Sequence, residues 1–202
     1  MDSATNVFRR EFLVSWVIAT GIGWPLALVP TFILAHIVNI VYPRETNLVL
    51  GLGYGAIIGL AQWIVMKKFI PVSSKWILAS TIGTGIPFVV AVILMETGGA
   101  ADKWIQSEFL SWLLIGVSGG LITGMLQINT LKPHFAKAGW WVFFSALGWG
   151  LAWGSQRTGF AASWILGGVI LGVITGIPLL WMIKSPALTI PQLNEKQPTG
   201  SQ

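Results

Sequence analysis

The stretch from Gly51 to Lys67, GLGYGAIIGLAQWIVMK, places a glycine at every fourth position. The glycines are Gly51, Gly55 and Gly59, and Gln62 follows three residues after the last of them. Residues spaced by four lie on one side of an α-helix. The stretch therefore predicts a helix with one smooth face of small residues, which we call a glycine stripe, and a glutamine at the end of that face.

The same pattern returns twice further along the chain. Each copy has three glycines four residues apart and a residue three positions after the last glycine: Gly116, Gly120, Gly124 and Gln127 in the second copy, and Gly168, Gly172, Gly176 and Leu179 in the third. The third copy departs from the pattern because a leucine replaces the glutamine. In membranes, glycine lets helix backbones approach closely. The stripes are therefore predicted to be helix-packing faces.

The composition is typical of an integral membrane protein. The chain is 54% hydrophobic and only 9% charged, with a mean hydropathy of +0.74, whereas soluble domains are about 25% charged. Six segments contain no Asp, Glu, Lys or Arg: 12–43, 46–66, 76–95, 109–131, 138–156 and 158–183. Each is long enough for a membrane span of about 20 residues. We therefore predict an all-α membrane protein with six transmembrane helices, and expect Pro25 and Pro30 to kink, tilt or break the first.

A tryptophan repeat alternates with the glycine repeat. A tryptophan stands seven residues before a glycine at Trp16 and Gly23, at Trp76 and Gly83, and at Trp141 and Gly148. Each tryptophan is near the start of its predicted helix, where an indole suits the headgroup zone. The alternation predicts three tandem helical hairpins, at about 12–68, 75–132 and 139–184, with approximate threefold pseudo-symmetry. Residues 1–11 then form a polar cytoplasmic flank, and 185–202 a disordered cytoplasmic tail.

The net charge of +5 reflects topology and does not indicate nucleic-acid binding. Of the 12 basic residues, nine lie on the side of the predicted bundle that carries both termini: Arg9, Arg10, Lys67, Lys68, Lys75, Lys132, Lys137, Lys184 and Lys196. Because basic residues are enriched in cytoplasmic loops, we expect both termini in the cytoplasm.

The sequence predicts no catalytic residues, no metal site and no cofactor. It contains no cysteine, and its two histidines, His36 and His134, are too far apart for a metal-site spacing. Ser118, in the segment Gly116-Val117-Ser118-Gly119, matches the G-x-S-G of rhomboid proteases. However, the sixth predicted helix lacks the histidine that would serve as its base.

Two sets of polar residues are candidates for a site. Gln62 and Gln127 occupy equivalent positions on the glycine faces, where they make either interhelical hydrogen bonds or a polar binding site for a solute. His36 and Asn39 lie three apart near the outer end of the first helix, and with Glu96 they are candidates for a small polar cluster. Alternatively, these three residues only contact headgroups and water.

The segment G-x-x-x-G-x-x-Q-W-x-x-M-K-K, from Gly55 to Lys68, together with its tryptophan-led partner helices, resembles a group of uncharacterised multi-pass bacterial proteins that are frequent in cyanobacteria. The resemblance covers most of residues 12–184 and departs at Leu179. It implies a plasma-membrane or thylakoid location and brings no activity with it.

Two functional hypotheses follow from these features. The first is a non-enzymatic packing or assembly subunit, which associates through glycine-striped helices with itself or with a larger membrane complex, and otherwise contacts only lipid. The second is a passive channel or facilitator for a small neutral solute, lined by Gln62 and Gln127. Coupled transport is disfavoured, because no ionisable residue lies deep in a predicted span.

Overall fold

The computed structural model describes residues 3–41, 46–97, 108–135, 137–156 and 163–182, and these form an all-α structure. The six helices are α1 (Ser3–Val41), α2 (Thr46–Phe69), α3 (Lys75–Thr97), α4 (Glu108–Leu131), α5 (Trp140–Ser155) and α6 (Ser163–Met182). The predicted tail at 185–202 lies outside the described residues.

Four of the described helices are long and apolar enough to cross a membrane, over Asn6–Asn39, Val49–Phe69, Lys75–Leu94 and Glu108–Leu131. The apolar part of α6, Leu166–Met182, is shorter, and α5 has 16 residues. Large apolar side chains are exposed on all six helices, among them Leu26, Leu60, Leu78, Leu114, Leu151 and Leu166. Long apolar helices with apolar outer faces indicate a membrane-embedded protein.

The first helix differs from the prediction at its start, and of the three predicted effects of its prolines the structure excludes the break. The helix begins at Ser3 and not at residue 12, so most of the predicted polar flank is helical. Arg9, Arg10 and Glu11 are good helix formers, which agrees with this extension. The helix also continues without a break through Pro25 and Pro30. Proline is tolerated in membrane helices, because local adjustments and neighbouring groups satisfy the backbone that it leaves unpaired.

The six helices form a closed ring. Each helix packs against the next in the chain, and α6 packs against α1. The ring therefore alternates between contacts inside a hairpin, such as α1 with α2, and contacts between hairpins, which we call seams. The three seams are α2 with α3, α4 with α5, and α6 with α1.

The glycine stripes lie in the seams. In α2 the stripe faces α3, in α4 it faces α5, and in α6 it faces α1, for all nine glycines: Gly51, Gly55, Gly59, Gly116, Gly120, Gly124, Gly168, Gly172 and Gly176. A Cβ on Gly59 would lie 2.6 Å from the Cβ of Ser80, and one on Gly124 would lie 2.7 Å from the Cα of Val142. No side chain fits at such distances, so the helices are held together at backbone contact.

A second set of glycines lies inside the hairpins. Gly23 faces Ala61 of α2, and Gly83 faces Thr123 of α4. Gly148 is similarly placed against α6, where a Cβ would lie 3.0 Å from Leu171. The glycine that follows each tryptophan by seven residues therefore packs on its own hairpin partner. Both sequence repeats consequently have a packing role, one within the hairpins and one between them.

Candidate functional site

Three tryptophans meet at the centre of the ring. Trp16, Trp76 and Trp141, one from each odd-numbered helix, are at most 2% exposed. Their ring centroids lie 6.3 Å apart for Trp16–Trp76, 6.3 Å for Trp16–Trp141 and 5.5 Å for Trp76–Trp141. The expectation that these indoles lie among the lipid headgroups is therefore wrong. Together they form a central triad that fills the ring at this level.

The two glutamines are the hydrogen-bond partners of this triad. The Trp76 Nε1–H donates to Gln62 Oε1 at 3.4 Å, and the Trp141 Nε1–H donates to Gln127 Oε1 at 2.8 Å. Both glutamines are buried. Each bond crosses a seam, from a tryptophan-led helix to the stripe helix of the preceding hairpin. The amide oxygens therefore accept interhelical hydrogen bonds, which is one of the two roles that the sequence analysis gave for these glutamines.

The second hairpin connects the two bonds into a chain. Gln127 Nε2 donates to Ser80 Oγ at 2.9 Å, and the Ser80 hydroxyl donates to the Trp76 carbonyl at 3.0 Å. A continuous path of hydrogen bonds therefore runs from Trp141 through Gln127, Ser80 and Trp76 to Gln62, and it links α5, α4, α3 and α2. In a medium without water, such a path adds directional contacts to close backbone packing.

In the seam between α6 and α1, the indole N–H has a different hydrogen-bond acceptor. Leu179 occupies the glutamine position and has no group that accepts a hydrogen bond. The Trp16 Nε1–H instead donates to Thr175 Oγ1 at 3.0 Å, one helical turn earlier on α6. The Thr175 hydroxyl donates to the Leu171 carbonyl at 2.6 Å. Every indole of the triad is therefore hydrogen-bonded across a seam, although the third copy of the repeat lacks its glutamine.

Three buried hydroxyls near the triad have no hydrogen-bond partner among the described residues. They are Thr20 Oγ1 on α1, Thr123 Oγ1 on α4 and Ser145 Oγ on α5. A buried polar group without a partner costs roughly 1–3 kcal/mol. Ser145 is the equivalent, in the third hairpin, of the serine that Gln127 contacts in the second. Ser145 has no such amide donor, because the position equivalent to Gln127 in the third hairpin is Leu179.

A second aromatic cluster fills the ring further towards the α2 amino terminus. Trp24 lies 5.1 Å from Tyr54 and 5.2 Å from Trp153, measured between ring centroids. Trp149 lies 5.9 Å from Trp24. All four side chains are buried and belong to one apolar core cluster. The centre of the ring is consequently occupied by aromatic rings at two levels.

The described side chains do not test the second predicted set of polar residues. His36 and Asn39 lie on an exposed part of α1. The side chain of Glu96 lies outside the described residues, so the proposed cluster stays a prediction. Among the residues that the structure describes, no group of three His, Cys, Asp or Glu side chains is placed to hold a metal ion.

Sequence reasoning missed the pairing of the tryptophans with the glutamines, although a signal exists. In both pairs the tryptophan follows the glutamine by 14 residues, across the short connection between consecutive hairpins. A constant spacing between a buried acceptor and an indole donor at the same helical depth indicates a cross-seam bond. Neither repeat shows this spacing by itself, because the glutamines belong to the glycine repeat and the tryptophans belong to the tryptophan repeat.

Replacing Leu179 by glutamine is expected to be tolerated. The new amide would lie between Trp16 and the unpartnered Ser145 hydroxyl, as Gln127 lies between Trp141 and Ser80. We expect the thermal stability in detergent to match or exceed that of the parent chain. Leu131→Gln is the matched control, because Leu131 is fully buried among apolar side chains. That variant should lose roughly 1–3 kcal/mol. Equal losses in both variants would contradict the assignment.

Comparison of the chain with protein-family models, with curated protein sequences and with solved structures finds no match.

Proposed function

We propose that this chain is a non-enzymatic, multi-pass membrane protein that acts as a packing or assembly subunit. In this proposal, three tandem hairpins related by approximate threefold pseudo-symmetry lie in a bacterial plasma or thylakoid membrane with both termini in the cytoplasm. Its contacts are lipid and either copies of itself or a larger membrane complex. The resemblance to cyanobacterial multi-pass proteins belongs to the same proposal.

The observation that supports the proposal most is that the two buried glutamines are hydrogen-bonded within the chain. Gln62 and Gln127, the best candidates for a solute site, accept hydrogen bonds from two indoles of the central triad. The triad and the second aromatic cluster fill the space that a solute path would need. An interior organised in this way favours a rigid scaffold over a conducting path.

The positions of the basic residues support the proposed orientation. α2 and α4 end, and α3 and α5 begin, at the end of the ring where α1 starts, and the basic residues described there are Arg9, Arg10, Lys67, Lys68, Lys75, Lys132 and Lys137. By the positive-inside rule, the proposal places this end in the cytoplasm.

The surface for association differs from the one that the glycine pattern suggested. All nine stripe glycines lie against neighbouring helices of the same chain. A partner therefore docks on the outward faces, which carry larger apolar side chains such as Leu114 and Met125. Association through large side chains depends on shape complementarity and not on close backbone approach.

A passive facilitator for a small neutral solute is the second candidate. It is supported by the hydroxyls of Thr20, Thr123 and Ser145, which are buried and have no hydrogen-bond partner among the described residues. Such groups are few in native structures, and a functional role is one explanation for them. In this alternative, the triad is a gate that must open before a solute reaches them.

The double variant Gln62→Leu with Gln127→Leu separates the two functions. A packing role predicts a loss of about 0.6–2 kcal/mol for each glutamine, because two indole N–H groups lose their acceptors. Thermal unfolding in detergent measures this loss. A transport role predicts normal stability with reduced solute flux in proteoliposomes. Asn129→Leu, which removes an exposed amide from α4, serves as the control for stability.

A stable double variant would contradict the packing role of the glutamines. If such a variant also lost a flux that the parent chain shows, the facilitator would replace the assembly subunit as the conclusion. Lower stability with no flux in the parent chain is the result that the assembly role predicts.

A further inference from the structure

A surface groove of about 370 Å³ lies where α5 begins, lined by Lys137, Gly139, Trp140 and Phe143. Gly139 lies at the wall of the groove. A Cβ added there would meet no heavy atom within 4 Å. The groove is at the end of the ring that carries the clustered basic residues.

Exposed aromatic rings surround this groove. Trp140 is 52% exposed, Phe143 54% and Trp181 of α6 50%. The Trp140 ring centroid lies 6.1 Å from that of Phe143 and 6.4 Å from that of Trp181. These are large apolar surfaces in mutual contact. The other tryptophans whose side chains the structure describes are buried or half-buried. The aromatic groove, as we call this set with Lys137, therefore faces the surroundings of the protein.

A cation is held at the edge of the aromatic groove. Lys137 Nζ lies 4.1 Å from the centroid of the Trp181 ring. This cation–π contact orients the ammonium group and leaves its hydrogen-bond donors available. A positive group beside apolar rings complements a molecule with an anionic head and an apolar tail. Basic pockets between membrane helices bind anionic lipid head groups in this way.

The aromatic groove belongs to the third hairpin alone. The positions equivalent to Trp140 are Lys75 and Ser15, those equivalent to Phe143 are Leu78 and Ile18, and those equivalent to Trp181 are Ile64 and Asn129. A general interfacial belt of aromatic residues would be distributed over all three hairpins. The rings at the same end of the first hairpin, Phe8, Trp63 and Phe69, are half-buried. Concentration of the exposed rings in the third hairpin therefore indicates one local site.

We propose that the aromatic groove binds one phospholipid with an anionic head group. The phosphate accepts hydrogen bonds from the Lys137 ammonium, and an acyl chain lies along Trp140 and Phe143. This inference requires only that the helices lie in a membrane, and it does not depend on the assembly role. Mass action makes such a lipid stabilise the folded chain.

Native mass spectrometry of the detergent-solubilised full chain tests the site, with phosphatidylglycerol and phosphatidylcholine as probes. The parent chain should retain one phosphatidylglycerol in preference to phosphatidylcholine. Lys137→Gln should weaken phosphatidylglycerol binding about fivefold, as expected for one lysine near an anionic lipid. Lys67→Gln is the matched control, because Lys67 lies in the same way over a tryptophan, 4.2 Å from the Trp63 ring. It removes the same charge and should leave binding unchanged.

Gly139→Leu provides a second variant that keeps every charge. Its side chain would extend into the open space at the groove wall and should reduce lipid retention without lowering thermal stability in lipid-free detergent. Equal weakening by Lys137→Gln and Lys67→Gln would overturn the proposal, since the lipid would then respond to overall charge. Equal retention of the two lipids by the parent chain, or full retention by Gly139→Leu, would overturn it as well.

Discussion

Replacing Gly120 by alanine is expected to lower the free energy of unfolding by about 1–3 kcal/mol. The added methyl group would overlap the Ser145 carbonyl oxygen, and it would lie 2.6 Å from the Cα of Ala146. Both are backbone atoms of α5 and cannot rotate away. The seam between α4 and α5 must therefore open, which also stretches the bond from Trp141 to Gln127.

Thermal unfolding in lipid-free detergent, followed by circular dichroism, measures this effect. Gly139→Ala is the control, because a methyl group there meets no heavy atom within 4 Å and the residue has a helical backbone, with φ of −61°. The control should unfold at the same temperature as the parent chain or slightly above it. If Gly120→Ala were as stable as Gly139→Ala, the stripes would not be closely packed seams.

Replacing Trp76 by alanine should cost about 3–5 kcal/mol, the usual range for removal of a large buried aromatic side chain. Trp76 is fully buried and contacts both other members of the triad. Its removal leaves a cavity at the centre of the ring and deprives Gln62 of its donor. All three hairpins lose a common contact, so the loss should appear as lower cooperativity as well as lower stability.

Trp140→Ala is the matched control for this variant, because Trp140 is half exposed and outside the triad. Its thermal stability in lipid-free detergent should change by less than about 1 kcal/mol. Trp76→Phe should fall between the two, since it keeps most of the ring volume and loses the indole N–H. A Trp76→Ala protein as stable as Trp140→Ala would contradict the central position of the triad.

Much of the architecture follows from the two repeats. The glycine spacing identifies the packing face of three helices, and the structure places those faces against neighbouring helices. Periodicity along one helix does not say which neighbour receives the face, because a stripe packs equally well on either side. The assignment of the stripes to the seams, and of Gly23, Gly83 and Gly148 to the hairpins, therefore needed the structure.

The known preference of tryptophan for the membrane interface led to a wrong prediction for the buried triad. Indoles are common at membrane interfaces, and Trp16 stands near the start of an apolar stretch, which favours that interpretation. An indole is equally suited to a buried position when an acceptor is within reach. Thr175 provides that acceptor, but it lies 159 residues away in the chain. Only the closure of the ring brings the two together.

The length of the helices was also only partly predictable. Absence of charge marks where a chain can lie in lipid, whereas helical hydrogen bonding continues into water. The first helix therefore extends over Arg9 and Arg10, well before the charge-free stretch begins. In contrast, α5 ends at Ser155, so this helix is shorter than a typical span.

The assembly role is tested most directly by isolating the chain from its native membranes in mild detergent and identifying by mass spectrometry everything that remains bound. We expect either a stoichiometric protein partner or a defined oligomer of the chain itself, retained through repeated purification. A monomer that carries only lipid would contradict the assembly role, and flux in reconstituted vesicles would then be the property to measure.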